Sequence, residues 1–227
     1  MMMPSMLLLL ALFSQPDPIS EWNRFEKSVR DQTIQRDEAI RRFPTLVKAL
    51  KELCRKHPFK QRLSWQFPAQ GYGLRDMSAG GFKSKGYNFY DGNHHGGHPA
   101  YDIFILDRNQ DSLDDRTKKP VMIVAPIDLL ILSTETEWQI NSLIRGGRYV
   151  WAFDPLQNHF FYFAHLNDID TNPGDFCPAG SPIGTIGRSG KNAQPSRSPT
   201  HLHFMVLEIR GNGLVSFDYR SILENGK

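Results

Sequence analysis

Residues 201–209, opening His201-Leu202-His203-Phe204, constrain the fold more than any other stretch. The run is apolar and short, which is the pattern of a buried strand. In a strand, residues i and i+2 point to one face. His201 and His203 therefore share a cavity, while Leu202, Phe204 and Val206 point the other way into a core. Two imidazoles side by side on a strand are a ready source of nitrogen ligands or of proton-transfer groups.

Three further groups belong with that pair. His98 and Asp102 stand four apart in His98-Pro99-Ala100-Tyr101-Asp102. Helical spacing would bring them to one face. Pro99 opposes a helix, because the residue before a proline is pushed toward extended backbone. Tyr101 to Leu106 also reads as a strand, so His98 closes a Gly-rich loop and Asp102 lies at a strand start. His165 ends the apolar run Phe160-Phe161-Tyr162-Phe163-Ala164, and alternation puts Phe161, Phe163 and His165 on one face. A lone His closing such a strand is more often structural than functional. Five nitrogen and oxygen donors exceed the three protein ligands of a catalytic zinc. The residues thus read as a mononuclear zinc site with imidazoles beside the metal.

The combination of His98-x-x-x-Asp102, the strand ending Phe163-Ala164-His165-Leu166, the following Gly-rich turns and His201-x-His203 resembles the LytM/lysostaphin-type zinc endopeptidases, the M23 family. The resemblance covers about residues 64–210. It implies one Zn²⁺ held by His98, Asp102 and His203, with His165 and His201 as catalytic imidazoles flanking the water site. It implies a mainly β (α+β) fold, a split antiparallel sheet with an open cleft preceded by N-terminal helices. It also implies hydrolysis of peptide bonds in peptidoglycan stem peptides or cross-bridges, with zinc polarising the scissile carbonyl. The alternative on the same fold is a non-catalytic peptide- or peptidoglycan-binding module, but such degenerate members typically lose ligands and this chain keeps all five positions. A zinc hydrolase acting on another protein or a small peptide is a third reading. Two departures from the family pattern stand out: Lys191 to Thr200 is a long polar loop, and Asp128-Leu129 replaces the frequent Asp-Gly.

Composition narrows the rest. The 227 residues suit one good-sized domain with an extension, and the net charge of +3 is spread along the chain, so nucleic acid is not an expected partner. Cys54 and Cys177 lack the spacing of a zinc finger and stand as either a pair or two free thiols. Residues 1–15 hold the run Met6 to Phe13, too short to span a bilayer but of the length of a signal-peptide core. The expectation is export to the periplasm or the extracellular space, without stable membrane insertion. Residues 16–57 are expected to be helical, with Ser20 as N-cap and Pro44 dividing two helices. They form either a lid or pro-segment, or helices packed on the sheet. The peptidase-like domain is expected over 58–220, with a short tail over 221–227. His94 and His95 read as loop residues near the cleft, since only His98 has an Asp at the family spacing. The stretch Asp107 to Asp115 has the start of a calcium loop but lacks its glycine and closing Glu, so it reads as a solvated acidic turn.

Overall fold

The computed structural model describes residues 17–225, and the apolar run at 6–13 lies outside them. Helix α1 (Pro18–Arg30) starts at Asp17, whose side chain accepts the backbone N–H of Ser20, with Pro18 in the first turn where its missing N–H costs nothing. The cap is therefore Asp17 rather than Ser20. Helix α2 (Arg36–Cys54) runs through Pro44 without dividing there. The break falls at residues 31–35, where Gln32 takes a left-handed backbone (φ 57°) that ends α1. Among the described residues, no helix is long and apolar enough to cross a membrane.

Among the described residues nine strands follow: β1 (Ala100–Phe104), β2 (Met122–Val124), β3 (Leu129–Glu135), β4 (Arg148–Asp154), β5 (His159–Ile169), β6 (Phe176–Cys177), β7 (Pro182–Ile186), β8 (His201–Arg210) and β9 (Gly213–Ser216), then a short helix α3 (Arg220–Glu224). They form one antiparallel sheet in the order β1-β8-β5-β4-β3-β6, with β9 on β8 and β7 bridging β5 and β2. The protein is thus mainly antiparallel β with N-terminal helices. β6 and β7, in the Gly-rich stretch expected to hold tight turns between short strands, are only two and five residues long.

The alternation of the central strands supplies both faces of the sheet. Ile103, Phe161, Phe163, Leu202, Phe204 and Val206 pack on one side with Trp65 and Tyr219. Leu132, Trp151, Phe153, Phe160, Ala164, Met205 and Leu207 face the other side, where α1 and α2 cover them. Trp22 of α1 is fully buried and stacks on Phe160 at 4.7 Å between ring centroids. The helices are therefore part of the core. Cys54 and Cys177 are both free and buried, and burial pushes their thiols up to about 12 and about 11.

A polar cluster lies inside this helix–sheet contact. Glu26 accepts hydrogen bonds from Ser133 (2.6 Å) and Tyr149 (2.9 Å). Arg30 donates to the Tyr149 hydroxyl (2.8 Å) and to Glu135 (2.7 Å). Burial raises the Glu26 carboxyl from 4.5 up to about 7, against the lowering pull of its hydroxyl partners. Folded Glu26 thus holds its proton more tightly than unfolded Glu26. Its contribution to stability is complete below pH 4.5 and is lost as the pH rises through about 7. The loss is on the order of 3 kcal/mol. Urea unfolding of the protein and of Glu26→Gln across this range should show the difference between them changing with pH. Parallel stability profiles would contradict the assignment.

Candidate metal centre

His98 leaves the Gly-rich loop through a single bridge to Lys83 and sits two residues before β1. Its Nδ1 lies 2.9 Å from the Gly81 carbonyl, which can only accept, so Nδ1 carries the proton and Nε2 presents its lone pair. Asp102 lies in mid-β1 and pairs in register with His203 of β8. Asp102 Oδ1 is 3.1 Å from His203 Nδ1 and 3.3 Å from His98 Nε2. Burial alone would raise the Asp102 carboxyl, but its contacts with His203 and His98 outweigh that and hold it well below the usual carboxylate range.

These three residues meet the demands of a zinc ion. Ligand atoms bound tetrahedrally at 2.0–2.1 Å stand about 3.3 Å apart, which matches the separations above. One candidate atom from each of His98, Asp102 and His203 lies within 4.8 Å of the others. Two neutral imidazole nitrogens and a carboxylate oxygen are the donor chemistry that Zn²⁺ takes. The Gly81 carbonyl fixes the tautomer of His98, as an outer support of a metal ligand would.

His201 and His203 do share a face, as their spacing predicts. His201 Nδ1 lies 2.8 Å from the Pro199 carbonyl, which leaves Nε2 toward the cavity, 3.9 Å from Asp102 Oδ1. His165 reaches the same cavity by a different route from the one alternation predicts. Phe161 and Phe163 point to the opposite face, so an unbroken strand would carry His165 there too. Instead His165 has φ 68° and the pairing with β4 shifts at this point. A left-handed residue reverses the side-chain direction, and such backbone in a non-Gly residue is a mark of functional sites. The His165 ring lies 4.8 Å from that of His201 and 5.8 Å from that of His203. Its Nδ1 is 2.8 Å from the Ser189 carbonyl, again leaving Nε2 free. Burial, then the neighbouring imidazoles, hold His165 well below its ordinary value, so it is neutral.

The unusual backbone of His165 is gripped from both sides. Its N–H donates to the Gly146 carbonyl (2.8 Å), and the Ser189 hydroxyl donates to the Leu166 carbonyl (2.7 Å). Gly147 (φ 66°) lets these two segments touch, since a Cβ there would stand 2.2 Å from the Gly190 nitrogen. Gly147→Ala therefore combines strain with a backbone clash. It should cost about 1–3 kcal/mol of stability. Thermal unfolding checks this, and an unchanged melting temperature would contradict it.

All five predicted residues line one cavity of about 310 Å³. His95 lines it as well, and burial, then Arg145, lowers its imidazole to about 4. His94 is exposed and outside it. Sequence reasoning missed several contributors. Glu26, Val29 and Arg30 of α1 form part of the wall, and Arg145 part of the rim. Asp107 is buried rather than solvated, accepting the N–H groups of Asp111 (3.1 Å) and Ser112 (2.9 Å) and the hydroxyl of Thr200 (2.6 Å), the residue before His201. Asp114 is likewise buried, against Arg116 (2.7 Å) and Tyr72. The acidic segment thus spends its carboxylates on its own turns and on the His201 strand. Arg188 donates to Ser198 (2.8 Å), Thr200 (3.1 Å) and Pro195 (3.1 Å), which shapes the long loop before β8.

No family model and no curated protein matches the chain. Several solved structures are similar to it at low identity. A zinc-containing peptidase from Vibrio cholerae is 17% identical with a TM-score of 0.45, over 67% of this chain and 38% of that one. Lysostaphin from Staphylococcus simulans, an antimicrobial peptidase, is 18% identical with a TM-score of 0.43, over 68% of this chain and 50% of that one. A protein assigned as the glycyl-glycine endopeptidase LytM from Ruminococcus gnavus is 19% identical with a TM-score of 0.47, over 94% of this chain and 92% of that one. The chain thus spans half or less of the first two, and its likeness to all three is one of fold.

Proposed function

We propose that this chain is a zinc-dependent metalloendopeptidase of the M23 type, acting on peptide bonds in peptidoglycan stem peptides or cross-bridges. The observation that carries the reading is the convergence of two sets of groups on one cavity. His98, Asp102 and His203 present metal-ligand atoms at zinc spacing. His165 and His201 present their Nε2 atoms beside them, each oriented by a carbonyl at its Nδ1. When bound, zinc would supply Lewis acidity toward a carbonyl oxygen and toward water.

The chain's own groups supply the proton chemistry. Neutral His165 can accept at Nε2 the proton of the attacking water, while Ser189 holds its Nδ1–H. His201 stands across the site with the same polarity. Either Nε2 can act as base toward the water, and that imidazole, once protonated, can pass the proton to the leaving amine nitrogen as the C–N bond breaks. Both rings are fixed before substrate arrives, so little reorganisation is needed. Glu26, Val29 and Arg30 of α1 line part of the cleft. Cleavage of a wall polymer places the protein in the cell envelope, periplasmic or extracellular.

Digestion of purified peptidoglycan by the zinc-loaded protein, read by mass spectrometry against a chelated control, tests the reading. New zinc-dependent peptide termini are expected, and they name the bond. An unchanged digest from protein with zinc confirmed bound would sink the peptidoglycan assignment.

A further inference from the structure

Among the described residues, Arg145 is a cation of the cavity wall with no carboxylate partner. One of its terminal nitrogens, Nη1, donates to the carbonyls of Asn93 (3.2 Å) and His95 (2.9 Å). These neutral acceptors fix the plane of the guanidinium. Nε and Nη2 have no acceptor among the described residues, and no carboxylate lies within 4.0 Å of this side chain, although it is half-buried and lines the cavity. That free edge is the one able to form two parallel hydrogen bonds with a carboxylate.

The other charges in the cavity are already matched. Asp102 is engaged by His98 and His203. Glu26 is engaged by Ser133 and Tyr149, and Arg30 is paired with Glu135 and Asp31. Arg145 is half-buried, so its free edge faces the solvent of the cavity and is open to an anion that the described residues do not provide.

The backbone beneath it is also held. The Arg145 carbonyl would stand 2.4 Å from a Cβ at Gly190, so only a glycine permits this approach. Lys191 donates to the Ile144 carbonyl (3.1 Å), and the Gly146 carbonyl takes the N–H of His165. Arg145 is therefore one residue from a direct hydrogen bond to the proposed catalytic imidazole's own backbone. A group bound at its free edge lies in the same cavity as His165 and His201. Pre-set donors of this kind give selectivity because they lose little freedom on binding.

We propose that Arg145 is a specificity-determining residue that pairs with a carboxylate carried by the peptide substrate in the cleft. This rests on the endopeptidase reading for the word substrate, but the pairing itself is testable as binding. The probes are five-residue glycine peptides bearing Glu or Gln at each position in turn, and the same peptides with a free or an amidated C-terminus. Calorimetry on the full chain, first metal-free and then zinc-loaded, reads affinity. Mass spectrometry of the zinc-loaded samples reads cleavage.

At least one carboxylate peptide should bind about tenfold or more tightly than its amide isostere. Arg145→Gln should close that gap to near unity, and Arg145→Lys, which keeps the charge but not the fork, should retain part of it. Melting temperature and zinc content of the variants report on folding. A gap that is absent from the whole panel, or that persists in Arg145→Gln, overturns the proposal. An Arg145-dependent gap without cleavage of any peptide or of peptidoglycan would instead remove the hydrolase reading and leave the anion anchor standing. Cleavage that is indifferent to the carboxylate would remove the anchor alone.

Discussion

His98→Ala and His203→Ala should lose bound zinc, and with it hydrolysis. Each would supply one of the three proposed ligand atoms, with Asp102 giving the third. Removing a group that merely orients a ligand typically costs ten- to a hundredfold in metal affinity. Removing a ligand itself should cost more than about a hundredfold, enough to empty the site at micromolar zinc. The fold should survive, because its core lies on the two faces of the sheet and both histidines are only half-buried. Metal analysis after gel filtration, with circular dichroism on the same sample, checks both parts. A His203→Ala protein that keeps a full equivalent of zinc would refute the ligand assignment.

His165→Ala should behave in the opposite way, keeping zinc and losing turnover by about 10²–10⁴ in kcat. Its ring lies farther from His203 than that of His98 does, and His165 is not part of the group whose ligand atoms lie within 4.8 Å of one another. His201→Ala should follow the same pattern, because its Nε2 is oriented in the same manner. Kinetics and metal content measured on one preparation separate the two classes of variant. If His165→Ala strips the zinc, the division between ligands and proton-transfer groups is wrong.

How much of this could be read from the sequence depended on whether local rules decided each feature. The His201/His203 pair was legible because a strand's period of two is set by backbone geometry alone, and Leu202, Phe204 and Val206 are fully buried on the opposite face as expected. His165 was legible only through the resemblance. Alternation sends it to the face of Phe161 and Phe163, and a single left-handed residue reverses it. That reversal is imposed by Gly146, Gly147 and Ser189, which are distant in the chain or belong to another turn.

The helix boundary shows the same limit. Pro44 is the strongest local breaker between residues 36 and 54, yet the helix passes through it, with Phe43, Leu46, Val47 and Leu50 buried around it. Packing against the sheet outweighs the missing hydrogen bond. The acidic segment at 107–115 was read as solvated because charge usually means exposure. Its carboxylates instead cap backbone N–H groups, and one of them reaches Thr200 across the fold. Arg145 had no signature at all beyond standing before two glycines. Its importance comes from which carbonyls surround it and which carboxylates do not.

The most direct test is a zinc titration of hydrolysis. Chelated protein, freed of chelator, is supplied with increasing zinc, and cleavage of peptidoglycan is followed by mass spectrometry. The account predicts no cleavage without metal and activity that rises to a plateau at one equivalent of zinc per chain. Cleavage that persists in the metal-free protein, or that needs a second equivalent, would contradict a single zinc held by His98, Asp102 and His203.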